Sequence, residues 1–385
     1  MNLRSRLPDV GTTIFSVMSQ LALDHGAINL SQGFPDFALD PALLEHVNDA
    51  MRQGHNQYAP MPGLLALREA IAGKLALGQQ VTVDPVSEIT ITAGATQALF
   101  TALAVGLHAG DQALVLDPSY DSYAPAITAL GAEPVRIKLA PPTFALDWQQ
   151  IEDAITPRTR VIIINNPGNP STRVWSRVDR AALAQLAERY DLLVIADEVY
   201  EHLVYDGAQH SSVLAEPALR ARSIAVYSFG KTFHATGWKI GYMVAPPAIT
   251  AELRKLHQFL VFSVHTPAQF GLAAHLHDAS HWQNLAAEYQ ARRDHLATGL
   301  SAAGFDLLPC AGTYFQLASY TRIRPDLDEL AFAKWLTTEF GVASIPLSPF
   351  YGDGANHQLV RFCFAKRPET LDAAIARLAP LAQAR

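Results

Sequence analysis

The stretch Ser228-Phe-Gly-Lys231-Thr-Phe-His-Ala-Thr-Gly237-Trp-Lys239-Ile-Gly241 governs how the rest of the chain is read. It continues a β-type run, Ser223-Ile-Ala-Val-Tyr227, so Lys231 stands just past a strand end among small and apolar residues. Desolvation lowers the pKa of an ammonium group, and a second cation at Lys239 lowers it further. A lysine so placed is a free amine near neutral pH and can form a Schiff base. The same stretch also reads as a surface lysine in a glycine-containing turn, and the two readings separate only on what surrounds it in the rest of the chain.

Outward from this point, short β-branched runs alternate with segments of helical period. Strands are expected at 88–92, 113–116, 135–139, 161–165, 192–196, 223–228 and 241–245, with helices between them, for example at 97–107 and 177–190. Such alternation implies crossovers and a mostly parallel sheet with helices on both faces, an α/β fold. Ligands of these sheets sit at the carboxyl ends of the strands. Gly94, Tyr120, Asn169, Asp197, Ser228 and Lys231 all follow such ends. Beyond Pro247 the pattern changes to long helical stretches, 248–262 and 268–303, then strands at 314–317 and 359–364 and a closing helix at 369–384. This reads as a smaller α+β domain. The first forty residues contain no self-sufficient element. The expected division is an arm and small-domain segment over 1–40, a large domain over 41–270 and a small domain over 271–385.

Composition bounds the function. Of 385 residues, 49% are hydrophobic and 17% charged, which suits well-packed cores and excludes a disordered chain. A net charge of −7 with both signs scattered gives nothing for nucleic acid or an anionic membrane to hold. Apolar runs such as Val161-Ile-Ile-Ile164 are strand-length, too short to span a bilayer. Cys310 and Cys363 make no disulfide framework, and the N-terminus does not read as a signal peptide. A cytoplasmic enzyme is expected.

The strand-end residues match what a pyridine ring bearing an aldehyde and a phosphate requires. Ala95 and Thr96 open a helix and offer amides to a phosphate, with the Ser228 hydroxyl and the Lys239 charge beside them. Asp197 closes an apolar strand and is placed to keep a ring nitrogen protonated. Tyr120 offers a ring to stack, and Asn169 and Tyr200 offer hydrogen bonds to a phenolic oxygen. Arg361, in the apolar run Leu359-Val-Arg-Phe-Cys-Phe364, suits a substrate carboxylate. Each has an ordinary alternative: a strand-end cap for Asp197, a turn for Asn165-Asn-Pro-Gly-Asn-Pro170, core packing for Tyr120, a structural ion pair for Arg361. Their joint occurrence in strand-end order favours the site.

From roughly Leu30 to the C-terminus the chain resembles the fold-type-I, pyridoxal-phosphate-dependent aminotransferases of classes I and II. Asn56-Gln-Tyr58 with Pro62-Gly63, Asn166-Pro-Gly-Asn169-Pro, Ala196-Asp197-Glu-Val-Tyr200, Ser228-Phe-Gly-Lys231 and Arg361 carry the likeness. Gln32-Gly33-Phe34-Pro35-Asp36 and Thr236-Gly-Trp-Lys239 narrow it to the branch holding methionine aminotransferase, glutamine transaminase K and kynurenine aminotransferase. The resemblance implies that Lys231 carries pyridoxal 5'-phosphate as a Schiff base and acts as proton shuttle. It implies that Asp197 pairs with the ring nitrogen, Tyr200 and Asn169 hold the phenolic oxygen, and Tyr120 and Val199 cover the ring faces. Ala95, Thr96, Ser228 and Lys239 would bind the phosphate, joined by Tyr58 from a second subunit of a homodimer with shared active sites. Arg361, Asn169 and the Gly33 backbone would hold the substrate carboxylate, with Phe15 and the second subunit's His265 nearer its side chain. Gly230 stands where many relatives have serine, and Lys239 where they have arginine, so a point charge replaces a planar fork at the phosphate.

The implied activity is transfer of an amino group from a neutral apolar or aromatic L-amino acid, methionine first, to a 2-oxo acid. A carbon–sulfur β-lyase and a non-catalytic cofactor-binding regulator are the alternatives. Gly230-Lys231-Thr232 mimics the end of a phosphate-binding P-loop, but Ala225 stands where that motif needs glycine. His277 and His281 have helical metal-ligand spacing without an evident third ligand, and no metal is expected.

Overall fold

The β-branched runs bounded by turn formers become seven strands of one sheet in a computed structural model that describes residues 3–383. They are β1 (Ile89–Thr92), β2 (Gln112–Asp117), β3 (Glu133–Lys138), β4 (Thr159–Asn165), β5 (Leu193–Asp197), β6 (Ser223–Ser228) and β7 (Gly241–Val244). Their order across the sheet is β1-β7-β6-β5-β4-β2-β3. β7 runs antiparallel to both its neighbours, β1 and β6, while every other pairing is parallel. Alternate residues of one strand enter opposite faces. Ile163, Ile195 and Val226 pack on one side with the helix Ala95–Gly106, whereas Ile162, Val194 and Ala225 join the larger core on the other. Covering both faces leaves the carboxyl ends of the parallel strands as the place where polar side chains gather.

A second, antiparallel sheet carries the remaining pieces in the order Ile345–Pro346, Leu359–Cys363, Phe315–Ser319, Asp306–Leu307. Helices Leu285–Ala303 and Pro368–Leu378 pack together beside it. The domain boundary expected between residues 270 and 271 falls within the helix Thr266–Leu276, which packs on Pro41–Arg52 and Leu65–Gln79. Among the described residues no helix is long and apolar enough to cross a membrane.

Three differences from the sequence expectation have physical causes. The first forty residues do contain a helix, Ile14–Asp24, capped by the Thr13 side chain on the Ser16 N–H. Behind it, the two-residue strand Ile28–Asn29 pairs in parallel with Val342–Ala343, so this segment is built into the C-terminal unit. The helical stretch 268–303 is three helices, Thr266–Leu276, Ser280–Gln283 and Leu285–Ala303. Asp278 Oδ1 accepts from the Ser280 N–H, and this side-chain turn starts a new helix instead of prolonging the first. The closing helix is Pro368–Leu378 followed by a 3-10 turn; residue 384, its expected end, lies outside the described residues.

Gly271 is where Thr266–Leu276 meets Pro41–Arg52: a Cβ there would lie 2.4 Å from Val47 Cγ2 and 3.0 Å from the Val47 backbone nitrogen. Gly271→Val therefore forces these helices apart and is expected to lower stability by about 1–3 kcal/mol, as overpacked core sites do. Chemical denaturation measures it, and an unchanged midpoint would contradict this packing.

Candidate active site

The loops after β1, β2, β4, β5 and β6 converge on a cavity of ≈ 230 Å³. One end is a helix start. Ala95–Gly106 begins after Gly94 (φ 80°) without a side-chain cap, so its first amides are free to hold an anion. Ala95, Thr96, Ser228, Thr236 and Lys239 line that end. A Cβ on Gly241 would come 2.5 Å from the Tyr227 carbonyl oxygen and 3.1 Å from the Ala95 nitrogen. Glycine thus lets β7 run close enough to bring Lys239 beside the helix start.

The floor is Asp197, the last residue of β5, only 4% exposed. Tyr123 donates to its Oδ2 at 2.6 Å, and the Val199 N–H donates to Oδ1 at 3.3 Å. Burial pushes its carboxyl up to about 6, although these hydrogen bonds and the Lys231 charge act the other way. A carboxylate under such strain is a receptor for a buried cation. Tyr120 and Val199 line the walls on either side, and Tyr120, mainly through burial, is pushed up to about 12 and stays neutral.

The opposite end holds Arg361, 1% exposed. Its guanidinium lies 3.7 Å over the Phe315 ring, with Phe350 at 5.1 Å and Phe15 at 5.5 Å. Nη1 donates to Asn169 Oδ1 and Nη2 to the Ser31 carbonyl, while Nε has no partner among the described residues. Burial lowers its pKa to about 10, which leaves it cationic at neutral pH. A cation buried this deep, with neutral hydrogen-bond partners, suits a carboxylate. Asn165 sets the distance between the two ends: its Nδ2 donates to the Asp197 carbonyl at 2.8 Å and its Oδ1 accepts from the Asn169 N–H.

Lys231 stands between them, on a single helical turn, Phe229–Thr232, that follows β6 directly. Its Nζ donates to the Tyr314 hydroxyl at 2.6 Å and lies 3.4 Å from the Gly33 carbonyl. Burial lowers its pKa to about 8; Lys239 and Arg361 add to this, while Cys363 and Asp197 oppose it. Tyr200 packs edge-on against Tyr314 at 5.1 Å and also lines the cavity.

The sequence-nominated Phe15, Gly33, Ala95, Thr96, Tyr120, Asn169, Asp197, Tyr200, Ser228, Lys231, Lys239 and Arg361 thus share one cavity. Tyr58 and His265 do not line it in their own chain: Tyr58 is 80% exposed, and His265 caps Thr266–Leu276 by accepting from the Ala268 N–H. Tyr123, Asn165, Thr236 and Tyr314 were not nominated. Tyr123 opens the helix Tyr123–Ala129 three residues after Tyr120, and no sequence pattern singles it out from other core aromatics.

His281 gathers with His275 and Asp40, not with His277. Asp40 Oδ2 is 3.1 Å from His281 Nδ1. The two imidazoles stack at 3.7 Å and 23°, so their in-plane lone pairs run side by side instead of meeting at one point. A carboxylate–imidazole contact accounts for the cluster.

A primary amine with a pKa near 8 reacts as the neutral base. Schiff-base formation between Lys231 and an added aldehyde, followed by borohydride trapping and peptide mapping, is therefore expected to rise with pH and level off above about 8. A rate still climbing towards pH 10 would show that the amine is not desolvated.

The family model for aminotransferases of class I and II matches residues 25–378. The chain is 50% identical to methionine aminotransferase of Escherichia coli strain K12 over 98% of each chain. It is 33% identical to human kynurenine–oxoglutarate transaminase 1, over 92% of each. A crystal structure of an E. coli protein identified as having a methionine aminotransferase function superposes with a TM-score of 0.96, covering 98% of this chain and 99% of that one at 50% identity. A cavity with an anion-holding helix start, a buried carboxylate, a desolvated lysine and a deep arginine thus lies in a chain that belongs to the class I and II aminotransferases.

Proposed function

We propose that the chain transfers the amino group of methionine, or of a similar neutral apolar or aromatic L-amino acid, to a 2-oxo acid, with pyridoxal 5'-phosphate in the cavity. The observation that carries this reading is the convergence of the desolvated Lys231 amine, the Asp197 carboxylate and the Arg361 guanidinium on one cavity. The donor set fits the cofactor: uncapped amides and Lys239 for the phosphate, Asp197 for a protonated ring nitrogen, Tyr120 and Val199 for the ring faces. Asn169 and Tyr200 would hold the phenolic oxygen.

When bound, pyridoxal phosphate supplies an electron sink for negative charge developing at the substrate Cα. Asp197, oriented by Tyr123 and the Val199 amide, keeps a positive charge at the ring nitrogen. Arg361 grips the substrate carboxylate with its plane fixed by Phe315 and Asn169, and the Gly33 backbone closes the other side. Lys231 Nζ, as the free amine, would be the base that takes the substrate Cα proton and holds it within the cavity.

Preference for an uncharged side chain follows from the lining. Among the described residues the cations lining the cavity are Lys231, Lys239 and Arg361, and each already has a role, which leaves none in this chain for an acidic side chain. Phe15 and Phe315 make the free wall apolar. The 50% identical relative named for methionine supports the same reading. The exposed Tyr58 and His265 support a homodimer in which each residue completes the cavity of the other copy.

A panel of amino donors against several 2-oxo acids tests this, with pyruvate and ammonia followed in parallel. Methionine is expected to exceed aspartate. Faster turnover of aspartate would overturn the specificity, and keto-acid-independent pyruvate and ammonia would identify a β-lyase. Arg361→Ala is expected to weaken carboxylate binding by about 2–5 kcal/mol, the cost of unpairing a buried charge. It should appear mainly as a raised KM for the donor, and unchanged affinity would remove Arg361 from the carboxylate site.

A further inference from the structure

The Lys231 amine is already held in this fold, and its holder is a residue without an assigned part. Lys231 Nζ donates to the Tyr314 hydroxyl at 2.6 Å, and that hydroxyl donates to the Gly33 carbonyl. A phenol has one proton to give and lone pairs to receive with, so both contacts are satisfied at once. Tyr314 is 0% exposed and stands behind the cavity wall. Its ring is fixed by Phe315 at 4.7 Å, Tyr200 at 5.1 Å and Tyr289 at 6.1 Å, and its carbonyl accepts from the Phe364 N–H. A Cβ on Gly33 would come 2.7 Å from the Phe315 ring and 3.3 Å from the Tyr314 ring, so only glycine lets its carbonyl approach this closely.

We propose that Tyr314 is a positioning residue: with the Gly33 carbonyl it forms a berth that holds the Lys231 amine in the half of the cycle when that lysine is not bonded to the cofactor. This rests on Lys231 being the cofactor lysine. A released lysine side chain regains several rotamers, and a fixed hydroxyl keeps its nitrogen where the next bond must form. The berth also joins substrate recognition to the lysine. Gly33 lies two residues from Ser31, whose carbonyl accepts from Arg361, so one turn touches both the amine and the carboxylate receptor.

The other groups facing the amine are Asp197, Lys239, Arg361, Cys363 and Tyr200, and all remain when only the Tyr314 hydroxyl is removed. The test uses holoenzyme driven into its aminated form with excess amino donor and no keto acid, which frees Lys231. Trace acetylation across pH, read by peptide mass spectrometry, gives the midpoint of Lys231. Tyr314→Phe is expected to lower that midpoint by about one pH unit, because two oxygens that favour the ammonium form become one. Tyr314→Leu, also lacking the hydroxyl, is expected to do the same. Tyr289→Phe removes, from the adjacent ring, a hydroxyl with no hydrogen-bond partner among the described residues, and is expected to change nothing. An unshifted midpoint in the Tyr314 variants, or an equal shift in Tyr289→Phe, overturns the berth. Borohydride reduction of the wild-type holoenzyme and mapping of the labelled lysine separately tests whether Lys231 is the attachment point.

Discussion

Charge withdrawn from water at the end of β5 is the constraint on which the rest of the site depends. Asp197, Glu198 and Glu201 follow one another within five residues, and none is more than 6% exposed. Each is matched from a different direction. Glu201 pairs with Lys74 from the helix Leu65–Gln79, with Gln79 and Tyr242 completing the contact. Burial raises Glu198, but His210, Ser212 and Tyr227 outweigh it and hold its carboxyl below the usual range. Removing one partner of a buried pair typically costs about 3–5 kcal/mol. The segment bearing Asp197 and Tyr200 is therefore clamped from behind, which is what a carboxylate facing a cavity needs if it is not to turn towards water.

From that clamp a hydrogen-bonded line runs across the cavity. The Asp197 carbonyl holds Asn165, Asn165 holds the Asn169 amide, and Asn169 holds Arg361. The two charge receptors are thus kept in register by backbone and amide contacts. Phe15, Phe315 and Phe350 surround the guanidinium without offering it an anion, and its charge is favoured from further off by the Asp121 carboxylate.

The central sheet was legible because its strands are unbroken apolar runs, such as 161–164, bounded by Gly, Pro and Asn. The convergence of Tyr120, Asn169, Asp197, Ser228 and Lys231 on one cavity was legible because each follows a strand end, where a parallel sheet gathers its polar side chains. Tyr123 was not, since a buried tyrosine beside Asp197 looks like any core aromatic until the sheet is assembled. Tyr314 joins residues 33 and 231 only through tertiary packing, and no local pattern announces that. The helix Ile14–Asp24 left a readable trace: Thr13 as cap and apolar residues at 14, 17, 18, 21 and 22. It is short, and burial against the helix Glu329–Phe340, more than propensity, makes it a helix.

The pairing of Ile28–Asn29 with Val342–Ala343 bears on how the chain comes to be built. The segment that supplies Phe15 and Gly33 is made before its partners, which lie more than three hundred residues later. Closing so long a loop costs entropy that only finished packing returns. This segment must therefore wait, without its strand partner, while the central sheet forms. The apolar wall of the cavity and the turn that touches Lys231 are completed only once Val342–Ala343 is available to pair.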